Sequence, residues 1–151
     1  MFNIVLIEPQ IPQNTGNIAR TCACAGAKLH LIKPLFDIND KTLKRAGLDY
    51  WDKLEIFYYK DADDFFNKNQ GEYFFIETGG VQNYTQVKFY KDAYLFFGKE
   101  TTGIDKQILN KYEDRIISIP MSKNLRSLNL SNCVALVLYE ALRQNTFFDL
   151  C

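Results

Sequence analysis

Three polar loops, each following an apolar run, carry the residues best suited to chemistry in this sequence. They read "ETGG" at 77–80, "GKETTG" at 98–103 and "PMSKNLRSLNLSN" at 120–132. In open α/β sheets, ligands bind outside the carboxyl ends of the strands, where loops present backbone N–H and C=O groups. Such groups can recognise an adenine edge without charged side chains. Each glycine taken singly is better explained by a tight turn, but the three loops together indicate a ligand site.

The familiar phosphate-binding and nucleophile motifs are missing from these loops. A Walker A loop requires G-x-x-x-x-G-K-[ST], whereas position 93 is alanine and Lys99 is followed by Glu100. The turn after the first apolar run, "EPQIPQNTGN", has one glycine instead of the three of a dinucleotide fingerprint. The G-x-S-x-G pattern of hydrolases is also absent. These absences disfavour a P-loop protein, a doubly wound nucleotide or flavin enzyme, and an α/β-hydrolase.

The cysteines and the single histidine do not form a metal or redox pattern. Cys22 and Cys24 have C-x-C spacing instead of the C-x2-C of a zinc knuckle, and no second pair follows. On a helix they would lie about 200° apart and face nearly opposite ways. We therefore expect reduced structural thiols and no metal site. His30 alternates with two leucines in a strand-like run, and we expect it to face solvent or to cap a strand end.

Six apolar, β-rich runs alternate with helix-like segments. Most of the runs are continuous, which is typical of strands covered on both faces in a parallel sheet. Capping and stop residues delimit the helices. The pattern predicts one domain over residues 1–151, an α/β fold with a mostly parallel six-stranded sheet flanked by helices. The predicted strands are 2–7, 28–32, 54–59, 73–78, 93–97 and 115–120; the predicted helices are Asn14 or Thr15 to Ala25 with Gly26 at the end, 40–46 before Gly47, 61–68 after Asp61, and 105–112 after Asp105.

The composition is that of a globular protein without a usual nucleic-acid footprint. The chain has 151 residues, of which 47% are hydrophobic, and its 18 basic and 18 acidic residues cancel. A local basic patch can still bind phosphates when the net charge is zero. The N-terminal sequence lacks a basic region and a cleavage site, and its apolar run is far shorter than the roughly 20 residues of a membrane span. We expect a cytoplasmic protein that does not interact with membranes.

The last helix-like segment, "SNCVALVLYEALRQ" from Ser131, is apolar on nearly every side through Tyr139. A helix that covers a sheet needs only one apolar stripe. A second covering surface is therefore required, and a second copy of the chain is the natural candidate. We predict a homodimer through this helix. The alternative is that the first helix covers the additional face within one chain.

Four motifs, taken in their order and spacing, resemble a known family. They are "NTGNIAR" at 14–20, "RAGLDYW" at 45–51, "FFGKETTGI" at 96–104 and "IPMSKNLRSLNLSNCVALVLYEALRQ" at 119–144. They resemble the SPOUT superfamily of RNA methyltransferases, and most of all the minimal TrmL-like tRNA 2′-O-ribose methyltransferases that act at wobble position 34. The resemblance spans essentially the whole chain, and the last motif is the most specific.

The resemblance implies a fold, a cofactor and an oligomeric state. The fold is α/β with a C-terminal deep trefoil knot, a rare exception to the rule that proteins avoid knots. The methyl donor is S-adenosyl-L-methionine, held bent in the knotted loops, and the enzyme is an obligate dimer. The cofactor contacts carried over to this chain, many of them through backbone groups, are Ile76, Thr78, Gly98, Glu100, Ile119, Met121, Ser127 and Leu128, with Asn129 close by.

The resemblance also implies the catalytic and RNA-binding residues. Arg20 is the motif arginine, and we prefer a clamp on phosphate and developing oxyanion to a literal base because a guanidinium hardly ever loses its proton. Asn14 shapes its loop, and Ser127 and Asn129 fix cofactor and knot, although structural hydrogen bonding explains these three equally well. Tyr139, from either chain, lines the substrate cleft or packs in the core. The RNA contacts are Arg20, Lys99, Lys123 and Arg126.

The implied function is methylation of a tRNA ribose 2′-hydroxyl in the anticodon loop, at cytidine or a modified uridine in position 34. Two departures from the family concern substrate choice: Glu77 stands in a loop that often carries a basic residue, and Lys99 stands where proline is common. A neutral chain without an additional RNA-binding domain predicts modest tRNA affinity with a shallow salt dependence. The alternatives are a non-catalytic RNA-binding dimer of the same fold and a methyltransferase of another RNA position.

Overall fold

The computed structural model describes residues 1–39, 41–148 and 150, with only the backbone considered at 44 and 47–49. Seven strands form one sheet in the order β3-β2-β1-β6-β4-β7-β5, and every neighbouring pair is parallel. All six predicted strands are present. The strands are β1 Asn3–Ile7, β2 Lys28–Ile32, β3 Ile56–Tyr59, β4 Tyr73–Ile76, β5 Gln82–Asn83, β6 Tyr94–Phe97 and β7 Ile116–Ser118.

The prediction of six strands missed β5, which lies at one edge of the sheet. Gln82 and Asn83 pair with Ile117 and Ser118 of β7. Both residues are polar, and a strand of two residues produces no apolar run. It exists only because the neighbouring strand offers backbone partners, so no local pattern could reveal it.

In the described part of the chain, four helices lie between strands, a fifth follows the last strand, and there are two 3-10 turns. Asp61 and Asp105 cap α3 and α4 through their carboxylates, as predicted. The helix predicted from 105 to 112 is shorter, and the first residue of the helix predicted from 40 lies outside the described residues. The helices are α1 Pro12–Ala25, α2 Lys41–Gly47, α3 Ala62–Lys68, α4 Lys106–Leu109 and α5 Leu130–Gln144; the 3-10 turns are Leu48–Lys53 and Glu113–Arg115.

Helix α1 begins two residues before the earlier of the two predicted caps. Its N-cap is Ile11, which has no side chain able to accept a hydrogen bond, and Pro12 occupies the first helical position. Asn14 and Thr15 are buried within the helix. The helix ends as predicted at Gly26, which adopts a left-handed conformation with φ of 62°.

Both faces of the sheet are covered, which explains the continuous apolar runs. On one face, residues of β1, β2, β4 and β6 pack with the buried sides of α1 and α5. On the other face, an aromatic cluster forms around Phe65, Phe75 and Phe96. The sheet is therefore a buried middle layer, and its strand ends are where polar residues gather.

Helix α5 is only partly covered by its own chain. Helix α1 packs against it, and its buried residues are Val134, Val137, Leu138, Ala141 and Leu142. Leu136 and Tyr139 remain 43% and 44% exposed. Contact with α1 therefore does not cover the whole apolar surface of this helix. The alternative prediction that Tyr139 packs in the core of its own chain is wrong, because its side chain is exposed.

The expectation that His30 faces solvent is wrong, because β2 is covered on both sides. The ring is buried, with Nδ1 at 2.9 Å from the Tyr59 hydroxyl and Nε2 at 3.1 Å from Asn3 Oδ1. The Asn3 amide donates to the Asp92 carbonyl, so its oxygen is left to accept from His30 Nε2–H. His30 is thus a neutral ring, and burial lowers its pKa to about 4.

The structure also bears on the expectations for the cysteines and for a membrane span. Cys22 is buried and Cys24 is exposed, as the helical spacing predicts, and both are free thiols; Cys151 lies outside the described residues. No helix in the described ranges has the length and apolarity needed to cross a bilayer. The knot, the single-domain organisation and the cytoplasmic location stay predictions.

Buried His30 makes stability depend on pH in a defined direction. An unfolded histidine titrates near 6.5, so between about pH 4 and pH 6.5 the unfolded chain binds the additional proton. The stabilisation is complete above this window and is lost as the pH falls through it. From about pH 7.5 to about pH 5, the free energy of unfolding in urea should fall by about 2 kcal/mol more in the wild type than in His30→Gln. Parallel pH profiles in the two proteins would contradict this assignment.

Candidate functional site

A cleft of about 510 Å³ lies at the carboxyl ends of β4, β6 and β7, where the three polar loops meet. Its volume is within the usual range of small-molecule sites. The walls come from the starts of α1 and α5 and from the three loops. The lining residues are Ile11, Asn14, Ile76, Glu77, Thr78, Phe97, Gly98, Lys99, Glu100, Thr101, Thr102, Gly103, Ile119, Met121, Arg126, Ser127, Leu128, Asn129, Leu130 and Cys133.

All eight residues predicted to contact the cofactor line this one cleft. They come from three separate loops, at 76–78, 98–100 and 119–128. Asn14, Asn129, Lys99 and Arg126 line it as well. Arg20, Lys123 and Tyr139 are not among the lining residues. The roles assigned to all of these residues stay predictions, because position alone does not identify a ligand.

Gly98 and Gly103 are required by the packing of the loop itself. A Cβ atom at Gly98 would collide with the backbone carbonyl carbon of Gly103. Gly103 has φ of 71°, a left-handed conformation, and its open side faces the carboxylate of Glu77. These glycines let the chain fold back on itself between β6 and α4. Both glycines are therefore needed for this turn, which forms part of the cleft wall.

The Gly98–Gly103 loop is tied to the loop after β1 by an ion pair. Lys99 Nζ lies 2.6 Å from Glu8 Oε2, and Lys33 Nζ lies 3.0 Å from Glu8 Oε1. The two ammonium groups, Lys99 foremost, hold the pKa of the Glu8 carboxyl below its usual range. The charge of Lys99 is therefore already compensated within the chain.

Glu100 supplies the hydrogen-bond acceptors that the start of α1 lacks locally. Its carboxylate accepts from the backbone N–H of Gln10 at 2.8 Å, from that of Ile11 at 3.0 Å, and from Asn14 Nδ2 at 3.3 Å. A negative charge at a helix N-terminus also interacts favourably with the helix dipole. Thr101 adds a bond from its hydroxyl to Gln10 Oε1 at 2.7 Å. One wall of the cleft is thus fixed to α1.

Asn14 connects this wall to the start of α5. Asn129 Nδ2 donates to Asn14 Oδ1 at 3.0 Å, while Asn129 Oδ1 caps α5 by accepting from the backbone N–H groups of Ser131 and Asn132. A continuous chain of hydrogen bonds therefore runs from Glu100 through both amides to α5. The structural explanation for Asn14 and Asn129, left open by the sequence, is supported by this network.

Glu77 acts inside the protein as a brace between two loops. Its carboxylate accepts from the backbone N–H of Ile104 at 2.9 Å and from that of Thr78 at 3.0 Å. The bond from Ile104 joins the loop after β4 to the loop after β6, and the bond from Thr78 fixes the carboxylate within its own loop. Glu77 therefore has a structural role in holding the cleft walls together.

The opposite wall has the character needed for the adenosine part of S-adenosylmethionine. Across the described residues, no hydrogen bond within the chain uses the backbone groups of Ile119 or Met121. Free N–H and C=O groups can pair with the polar edge of a purine, and the side chains of Ile76, Met121 and Leu128 offer an apolar surface to its ring. The residues of this wall therefore fit the adenosine part of S-adenosylmethionine.

Arg20 and Tyr139 lie on the outer surface, away from the lining of the cleft. Arg20 is exposed on α1, six residues and about 9 Å along the axis from Asn14. Tyr139 is ten residues, or about 15 Å, past Asn129 along α5. Within one chain, Tyr139 therefore cannot line the cleft at the start of its own helix.

Some lining residues were not predicted from the sequence. Ile11 precedes α1, Thr102 lies in the loop from which Gly98, Lys99 and Glu100 were predicted, and Cys133 is on the first turn of α5. The i, i+4 spacing of Asn129 and Cys133 on a helix start could have revealed Cys133. Ile11 is held beside the cleft by the hydrogen bond from its backbone N–H to Glu100, a residue distant in sequence, so no local pattern could predict it.

The fold and the cleft together define a class of protein. An open parallel α/β sheet, with a small-molecule cleft at the carboxyl ends of its strands and apolar walls bearing free backbone groups, is typical of enzymes that bind a nucleoside-containing cofactor. Within the described part of the chain, no three His, Cys, Asp or Glu side chains come together as a metal site.

Comparison with known proteins identifies the family. The family described as SpoU rRNA methylase matches residues 1–139, so the chain belongs to the SpoU rRNA methylase family. A Saccharophagus degradans protein named tRNA (cytidine(34)-2′-O)-methyltransferase is 45% identical over 150 residues, covering 97% of both chains. A Geobacillus stearothermophilus protein, named as a candidate for the same activity, is 50% identical over 154 residues, covering 99% of this chain and 98% of that one.

The structural comparison agrees with the family assignment. A solved structure, described as giving insights into the 2-OH methylation of C/U34 on tRNA, superposes with a TM-score of 0.93. It is 38% identical and covers 97% of each chain. The α/β fold with a parallel sheet flanked by helices is therefore confirmed, with seven strands instead of six, while the knot stays a prediction. The chain is an RNA methyltransferase of this family.

Proposed function

We propose that this chain transfers a methyl group from S-adenosylmethionine to the ribose 2′-hydroxyl of the nucleotide at position 34 of tRNA, either cytidine or a modified uridine. The observation that carries the proposal is the convergence of eight family-derived cofactor residues, from three loops far apart in sequence, on one cleft. The names of the relatives, at 45% identity and nearly full coverage, support the target position.

The cofactor site is built mainly from backbone groups and apolar side chains. Ile119 and Met121 would offer their free backbone groups to the adenine edge, and Ile76 and Leu128 would supply an apolar surface for the ring. When bound, S-adenosylmethionine supplies a methyl group on a sulfonium sulfur that a ribose oxygen can attack. The tied loops around Glu100 and Glu77 hold these walls in place before binding, which reduces the entropy lost on binding.

Arg20 is the candidate for holding the nucleotide. A guanidinium keeps its proton, so it cannot act as the base that takes the hydroxyl proton. It can bind a phosphate by two hydrogen bonds and stabilise the negative charge that develops on the 2′-oxygen. Its place on the outer surface of α1 requires the nucleotide to lie between this helix and the cleft mouth.

The reaction is tested by incubating the protein with total tRNA and S-adenosylmethionine carrying a labelled methyl group, followed by nucleoside analysis. We expect label in a 2′-O-methylated nucleoside at position 34. Arg20→Ala should lower turnover at least about 100-fold, while calorimetry should show cofactor affinity within a few fold of the wild type. Label on a base would contradict the reaction, and loss of cofactor binding in Arg20→Ala would contradict the clamp role.

The predicted RNA-binding cations differ in whether a carboxylate of the chain already pairs with them. Arg126 and Lys123 are exposed in the loop before α5 and form no ion pair with any described residue. Lys99 is held by Glu8 at 2.6 Å. A cation releases counterions from RNA only if its charge is available to a phosphate. We therefore propose Arg126 and Lys123 as phosphate contacts and assign Lys99 to the cleft wall.

Salt dependence of tRNA binding distinguishes these cations. For Arg126→Ala, the slope of log K against log salt should become shallower by about 0.7 to 0.9. For Lys99→Ala, the slope should equal that of the wild type, because the Lys99 ammonium group is held in an ion pair with Glu8 and does not reach phosphate. Equal changes of slope in the two variants would show that Lys99 does contact phosphate.

The uncovered face of α5 supports a homodimer. Leu136 and Tyr139 are exposed on this helix, and Leu125 and Leu128 are exposed in the loop before it, at 65% and 38%. Since Tyr139 cannot reach the cleft of its own chain, its proposed place in a substrate cleft requires the partner's cleft. The dimer and the role of Tyr139 are therefore one proposal.

Sedimentation equilibrium tests the dimer. The wild type should have twice the chain mass at micromolar concentration. Leu136→Glu should raise the dissociation constant at least about 100-fold, because each partner would bury an unpaired carboxylate in place of an apolar side chain. Lys111→Glu, an exposed charge reversal before β7, serves as the matched control and should remain dimeric. A wild type that sediments as a monomer refutes the proposal.

A further inference from the structure

We propose that Tyr50 is a positioning residue for Arg20, holding its guanidinium at the surface of α1 while leaving its hydrogen-bond donors free for RNA. The Arg20 Cζ atom lies 5.6 Å from the centre of the Tyr50 ring. This distance is within the range of cation–π interaction. The inference rests on the proposed function of Arg20 and adds a second residue to that site.

The surroundings of Arg20 differ from those of Arg115 and Arg143. Arg115 pairs with Glu72 at 3.1 Å, and Arg143 pairs with Glu140 at 2.7 Å. Among the described residues, Arg20 forms neither an ion pair nor a side-chain hydrogen bond, and the Tyr50 ring is the partner that the structure gives it. An exposed arginine without such a partner would sample many rotamers.

An aromatic ring and a carboxylate hold a guanidinium with different consequences. A carboxylate accepts two of the five N–H donors and cancels the positive charge. A ring attracts the cation through its quadrupole, so it leaves the charge uncompensated and the donors on the guanidinium edge unused. An arginine that must bind a phosphate or a developing oxyanion is therefore better positioned by a ring than by a carboxylate.

The Tyr50 ring is itself carried on a supported segment. It belongs to the 3-10 turn Leu48–Lys53, which follows α2 and packs against α1, the helix that carries Arg20. The next residue, Trp51, packs against the main core cluster. Tyr50 is half-buried. Ring and guanidinium therefore belong to two elements in direct contact, which limits their relative motion.

The test compares Tyr50→Phe, which keeps the ring, with Tyr50→Leu, which keeps apolar bulk but removes the quadrupole. We expect turnover within about 2-fold of the wild type for Tyr50→Phe and a loss of about 2- to 30-fold for Tyr50→Leu. The affinity for S-adenosylmethionine should be unchanged in both. In NMR spectra, the Arg20 Nε–H proton should show an upfield ring-current shift in the wild type and in Tyr50→Phe, and lose it in Tyr50→Leu.

Other outcomes separate this inference from the proposed function. If the wild type methylates no tRNA, the proposed function fails, and the ring-current shift still reports whether Tyr50 holds Arg20. If the wild type is active and Tyr50→Leu matches it in turnover, the positioning role is refuted. Equal losses of turnover in Tyr50→Phe and Tyr50→Leu would assign the effect to the phenolic hydroxyl. That result would also refute the positioning role of the ring.

Discussion

The carboxylate of Glu100 is the constraint on which the arrangement of the cleft depends. It lies in the loop after β6, yet it accepts hydrogen bonds from Gln10 and Ile11 before α1 and from the Asn14 amide. A helix start needs acceptors for its free N–H groups, and here the chain supplies them from a distant loop instead of from a local cap. The same contact fixes the wall of the cleft, so helix capping and site formation are one interaction.

Other contacts extend this constraint across the site. Glu8 and Lys99 tie the same pair of loops, Glu77 ties the loop after β4 to the one after β6, and Asn129 joins Asn14 to the start of α5. These polar groups pair within the protein, whereas the backbone groups of Ile119 and Met121 are left available to a ligand. Recognition therefore depends on main-chain groups held by side chains behind them.

Charge in this neutral chain is divided between two roles. Lys99 and Lys33 share the Glu8 carboxylate in ion pairs that hold loops. Arg20 and Arg126 form no ion pair within the described residues, so their full charge remains at the surface around α1 and the cleft. The net charge of zero therefore does not report the unpaired cations on this part of the surface. For this reason the total composition is weak evidence about RNA binding.

The sequence alone determined most of the architecture and part of the membership of the cleft. Continuous apolar runs predicted six of the seven strands because the central strands β1, β2, β4 and β6 are buried on both faces. Gly26, Asp61 and Asp105 marked helix ends because caps act locally. The eight cofactor residues came from the family resemblance, and the structure brings them to one cleft.

Tertiary structure decided what depends on partners distant in sequence. Strand β5 exists only beside β7, and α1 starts at Pro12 because Glu100 caps it. His30 is buried because the second face of the sheet is covered. Lys99 is compensated by Glu8 and Arg20 is held by Tyr50. A sequence pattern encodes the periodicity of one element, whereas burial and pairing arise from elements that meet only after folding.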